Sequence, residues 1–207
     1  MHERLKTGFN LGLTGNILFL FFGLTCLLYY NTYEDGSGFS NVLEVIAYII
    51  EVCGFIALAI SAFCIATSAR MRTLMKVCYS IYILLEAVMM FLELNAYEFN
   101  SFYHPFSLGL AIVHAAFSGF VCFTFLQLDP DKTALEVVII VCIGIIFGGM
   151  LGNIMGIRIY FSIITNAVSY SLLFFRILSL QDNGDIEIDC YGDKATVTEY
   201  RSEFFRD

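Results

Sequence analysis

Long apolar runs separated by short polar connections dominate this chain, at 9–30, 41–66, 77–96, 105–127, 131–155 and 158–178. An α-helix needs about 20 predominantly apolar residues to cross the hydrocarbon core of a bilayer, and every run reaches that length. The pattern predicts an all-α polytopic membrane protein. Residues 1–8 form a short N-terminal segment, 9–178 a six-transmembrane-helix bundle, and 179–207 a polar tail. The first run is too long for the apolar core of a signal peptide and no small-x-small cleavage site follows it, so it reads as a retained helix.

Local signals agree with these boundaries. Asp129-Pro130 is a helix N-cap followed by proline at the first helical position, and His104-Pro105 opens the fourth run in a similar way. These are the 2 prolines of the chain, so no span carries one in its interior, which speaks against discontinuous transporter helices. Gly156-Ile157-Arg158 leaves so little chain between the fifth and sixth runs that they must form a tight antiparallel hairpin, with Gly156 suited to ending the fifth helix.

The basic residues assign an orientation. Arg4, Lys6, Arg70, Arg72, Lys76, Lys132, Arg176, Lys194, Arg201 and Arg206 all fall on one side if the spans alternate, and Arg158 alone falls on the other. Connections 31–41 and 95–104 contain no Lys or Arg. By the positive-inside rule both termini are cytoplasmic, in what reads as a plasma or cytoplasmic membrane. Composition changes the picture only by exclusion. With 58% hydrophobic and 14% charged residues in 207, no room remains for a soluble ATPase, kinase or other sizeable catalytic domain. The 7 cysteines show no CxxC pairing and none lies in an outer connection, so a disulfide framework is not expected.

Charge inside the apolar runs carries the chemistry, because an ionisable side chain in a bilayer is costly and needs a reason. Glu44 and Glu51 lie seven residues apart on the second span, and Glu86 and Glu93 are spaced likewise on the third, which returns each pair to one helix face. Tyr48 joins the first stripe, and Tyr79 and Tyr82 extend the second. Counted from the outer ends of antiparallel spans, Glu51 and Glu86 both lie about 15 Å deep. His114 on the fourth span and Asn166 on the sixth come to about 13 and 12 Å by the same count. Glu51, Glu86, His114 and Asn166, with Tyr48 and Tyr82, are therefore the candidate ligand- or ion-binding set. Glu44, Glu93 and Arg158 are placed at its outer entrance.

Two carboxylates and an imidazole can hold a cation, pass a proton or hydrogen-bond a polar solute. Oxygen and imidazole ligands also suit divalent transition metals, but the chain has no HxxxH or HExxH element, and no motif names a metal or a cofactor. No phosphate-binding glycine loop or nucleophile elbow is present either. The resulting expectation is a small transporter or channel-like protein for a cation, proton or small polar solute, with its polar site between helices 2, 3, 4 and 6. A membrane sensor signalling through a cytoplasmic partner and an intramembrane lipid-modifying enzyme are the alternatives.

Gly144, Gly148, Gly152 and Gly156 recur every four residues on the fifth span, a ridge that lets another helix approach closely. Its expected partner is a helix of the same bundle, with a second copy of the chain as the alternative. Residues 181–207 hold 8 acidic against 3 basic residues, the wrong sign for gripping nucleic acid or anionic lipid. Asp185-Ile186-Glu187-Ile188-Asp189, the turn at Tyr191–Lys194 and the β-formers of 195–200 predict a small hairpin, suited to a cytoplasmic protein partner. Six spans in about 200 residues is also the size of membrane subunits that work with a separate ATPase, so such a partner is a further expectation.

Overall fold

The structure is a computed structural model, and it describes residues 2–33, 38–69, 72–94, 103–128, 133–154, 160–184 and 186. The described residues are almost entirely helical, without strands. They form α1 (His2–Tyr33), α2 (Gly38–Ser68), α3 (Thr73–Leu94), α4 (Tyr103–Thr124), α5 (Thr133–Ile154) and α6 (Tyr160–Asn183). A 3₁₀ turn at Phe125–Leu128 continues α4. The predicted hairpin falls in the tail, beyond the described residues apart from Ile186.

Four helices are long and apolar enough to cross a membrane, over Glu3–Tyr29, Asn41–Ser68, Leu135–Gly152 and Phe161–Asn183. Ile112–Leu128 is a shorter apolar stretch. In α3 the apolar run is interrupted by Lys76, Glu86 and Glu93 within 22 residues. The surface confirms the setting: Val45, Ile49, Val52 and Ile56 on α2, and Val137, Ile140 and Leu151 on α5, are large apolar side chains that point outward. A soluble bundle would place polar residues there, whereas an outer face this apolar suits contact with lipid. These features make the chain an integral membrane protein.

Each helix packs on its neighbours in the chain, and α1 also packs on α6, so the six close into a ring. One end of this ring gathers the starts of α1 and α3 and the ends of α2, α4 and α6. There Lys6 pairs with Asp182 across α1 and α6. Gln127 of the 3₁₀ turn accepts a hydrogen bond at 3.1 Å from the Met75 backbone N–H, one of the donors the first turn of α3 cannot satisfy internally. Lys76 Nζ donates to the Ala69 carbonyl at 3.0 Å, and Arg72 takes a left-handed conformation (φ 57°) to turn the chain from α2 into α3.

Side chains from α3 and α6 meet across the middle of the ring. Near the end just described, Phe9, Tyr79, Phe125 and Phe174 pack as an aromatic floor, with ring centroids 5.6–6.0 Å apart in successive pairs. All four are essentially inaccessible. This floor separates the polar level above it from the chain ends.

A row of close helix approaches runs along α1. A Cβ at Gly15 would stand 2.7 Å from Leu58 Cγ, one at Gly12 2.9 Å from Ser61 Oγ, and one at Gly8 3.0 Å from Cys64 Cβ. Gly54 on α2 completes this seam against Phe19 and Leu18. The first two glycines of the expected ridge on α5 make no such approach. Gly144 and Gly148 are exposed and meet nothing within 4 Å, while α5 instead approaches α6 through Gly149, whose added Cβ would overlap Thr165. Gly152 is buried and Gly156 lies outside the described residues. The reason is rotational: α5 turns Gly144 and Gly148 outward and its 142, 146 and 149 face toward α6 and the core. Cys142 Sγ donates to the Ser169 carbonyl and Ser169 Oγ donates to the Cys142 carbonyl, both at 3.1 Å, which fixes that rotation.

Candidate functional site

The polar level is assembled from four helices. Their register follows from antiparallel alternation, because residues counted to equal depth on neighbouring spans end side by side. Glu86 on α3 and His114 on α4 are directly paired, with His114 Nε2 3.0 Å from Glu86 Oε1. Their side chains are 16% and 8% exposed. The other imidazole nitrogen, Nδ1, lies 3.4 Å from Asn166 Nδ2 on α6. With the amide N–H directed at Nδ1, that nitrogen accepts, so Nε2 carries the ring proton and donates it to the Glu86 carboxylate.

Tyr82 lies one turn before Glu86 on α3 and donates a hydrogen bond to its carboxylate. Its ring stacks on His114 at 5.7 Å and on Tyr170 at 4.7 Å. Tyr170 in turn donates to the Ser118 carbonyl at 2.9 Å, so α3, α4 and α6 are held to each other by rings and hydroxyls just beneath the Glu86–His114 pair. One turn lower, Tyr79 and Ser61 hydroxyls meet at 3.2 Å and tie α3 to α2.

Two groups at this level lack partners. Glu51 on α2 is 3% exposed and lies within electrostatic range of Glu86, yet it has no hydrogen-bond or cation partner among the described residues. Asn166 is 5% exposed and its Oδ1 accepts no hydrogen bond. A buried polar group without a partner costs about 1–3 kcal/mol, and an unpaired buried charge more, so both are departures from ordinary packing.

The structure thus brings Glu51, Glu86, His114, Asn166 and Tyr82 together. It does not bring in Tyr48, whose side chain is 39% exposed on the outer surface of α2. The seven-residue spacing from Tyr48's neighbours misleads here, since 48 lies three residues from 51 and α2 is rotated to turn Glu51 and Leu58 inward. Glu44 is half-buried on α2. The side chain of Glu93 and all of Arg158 lie outside the described residues, so the outer entrance does too.

Tyr170 and Ser61 are participants that the sequence reading passed over. Only Tyr170 carried a signal, since it follows Asn166 by four residues on the same helix face, whereas Ser61, ten residues after Glu51, is turned about 80° from it. Among the described residues, no three His, Cys, Asp or Glu side chains are grouped to hold a metal ion. What the arrangement can do is hold mobile positive charge: a hydrogen-bonded acid–imidazole–amide chain across three helices, with a second carboxyl beside it. Comparison with known proteins gives no match, whether to a family model, to a curated protein or to a solved structure.

Proposed function

We propose that this chain is a small transporter or channel-like protein that moves a monovalent cation or proton through a site between α2, α3, α4 and α6. The observation that carries the reading is Glu51: a carboxyl buried in an apolar bundle, beside a second carboxyl, with no Lys or Arg to balance it among the described residues. Buried carboxylates kept only for helix association are ordinarily satisfied by a neighbouring donor, whereas one left open is suited to a transient positive charge. In this reading all six helices cross the membrane and both termini are cytoplasmic, as the distribution of Lys and Arg supports. The aromatic floor closes the cytoplasmic side of the site and the polar level faces the outer half of the bundle. The acidic tail meets a cytoplasmic protein.

Cation and proton flux into proteoliposomes tests the reading. Glu51→Gln and Glu86→Gln are expected to lower flux at least tenfold while the purified variants keep wild-type helicity and elution. Wild-type flux in both folded variants would remove the carboxyls from the function.

A further inference from the structure

Asn166 has two faces, and the state of His114 decides which one it shows. His114 Nε2 is committed to Glu86 at 3.0 Å, so the ring's remaining freedom is at Nδ1, 3.4 Å from the Asn166 amide. When Nδ1 carries no proton, it accepts from Asn166 Nδ2 and leaves Oδ1 as a free buried acceptor, the arrangement seen here. When Nδ1 carries a proton, it becomes a donor and requires an acceptor. The amide then turns over, Oδ1 accepts from Nδ1, and Nδ2 is presented in its place.

We propose that the site exchanges a proton on His114 for a monovalent cation bearing N–H donors, with Asn166 making the two occupants mutually exclusive. This rests on the transport reading above and specifies its cargo and coupling. The exclusion acts twice. A protonated imidazole neutralises the negative charge that Glu86 and Glu51 would otherwise offer to the cation, and it also consumes the amide oxygen that would accept the cation's N–H. One proton leaves Nδ1 for water as one cation enters, so the net charge of the cluster is unchanged.

The acceptors left open are one amide oxygen and the Glu51 carboxyl, and no three-ligand metal set occurs among the described residues. Separate acceptors suit a cation with several N–H groups better than a bare ion that needs a coordination shell. Among the described residues, the titratable groups facing His114 are Glu86 and Tyr82 on α3 and, through Glu86, Glu51 on α2. Tyr170 on α6 faces it through Tyr82, and Cys122 and Cys142 lie beyond Tyr170. None of these brings a second permanent positive charge.

Guanidinium is the probe, because it keeps its charge across the working pH range and so cannot cross as a neutral base. Its binding to the purified full chain is measured by calorimetry in two buffers of different ionisation enthalpy, at several pH values. The expected result is release of about one proton per guanidinium at the acid end, with affinity falling toward tenfold per pH unit there. Tetramethylammonium, of equal charge without N–H groups, should bind at least tenfold more weakly. Asn166→Leu should weaken guanidinium about ten- to a hundredfold, the worth of a hydrogen bond to a charged group. In His114→Gln binding weakens and releases no proton. Wild-type binding without proton release, equal binding of tetramethylammonium, or no guanidinium binding overturns the exchange. If sodium or potassium flux still depends on Glu51 in that event, the transport reading survives alone. If no cation flux depends on it, both fall.

Discussion

The interior of the ring contains two levels built from the same helices and opposite in kind. At the floor, Phe9, Tyr79, Phe125 and Phe174 are essentially inaccessible, and the Tyr79 and Ser61 hydroxyls satisfy each other. One to two turns above, Glu86, His114, Asn166 and Glu51 are held as tightly, yet an amide oxygen and a carboxyl are left open. Other buried oxygens, on Ser68, Ser171 and Gln181, also lack a partner, so an open acceptor alone does not mark a site. What sets the upper level apart is that its open groups stand beside an acid–imidazole pair, as the proposed transport requires, whereas the floor is aromatic and closed.

Breaking the floor should therefore damage folding, and breaking the level above it should damage function. The largest stability effect is expected for Phe174→Ala. Phe174 touches Phe9, Tyr79, Phe125 and Tyr170 and lies over Gly12, so the cavity left behind costs roughly 3 kcal/mol. Denaturation in detergent checks it. Next comes Gly12→Leu: its side chain would run into Phe174 and Ser61, and overpacking at such a contact costs about 1–3 kcal/mol. Gly144→Leu, which meets open space, should leave the stability of the isolated chain within about 0.5 kcal/mol. Equal losses in the two glycine variants would show that α1 and α5 are not packed as described.

That glycine pair also marks how far the sequence could be read. Helix positions and the depth match of Glu86, His114 and Asn166 were legible, because each depends on run length and a rise of 1.5 Å per residue. Rotation of a helix about its axis was not. In an all-apolar helix such as α5 there is no polar face to reveal which side turns inward, so the regular row at Gly144 and Gly148 drew attention while Gly149, between rows, makes the contact. Tyr48 failed for the same reason: α2 has no amphipathic stripe that separates 48 from 51. The α1 seam at Gly8, Gly12 and Gly15 was present in the sequence, but its irregular spacing reads as a packing row only once Leu58 and Ser61 are seen against it.

The sharpest test of the comparison makes one chemical change at both levels. Tyr79 and Tyr82 lie three residues apart on α3, both are buried, and each hydroxyl has a partner. Tyr79→Phe removes the bond to Ser61 and should cost about 0.5–1 kcal/mol, as interhelical hydrogen bonds in membrane proteins do, with flux unaltered. Tyr82→Phe removes a donor from the Glu86 carboxylate, which then leans more heavily on His114. Its stability cost should be similar, but the pH at which flux is half-maximal should move, because a carboxylate that loses one donor strengthens the hold of the other on its proton. The same shift in Tyr79→Phe would mean that the floor and the site are one electrostatic unit, and the division between them would be lost.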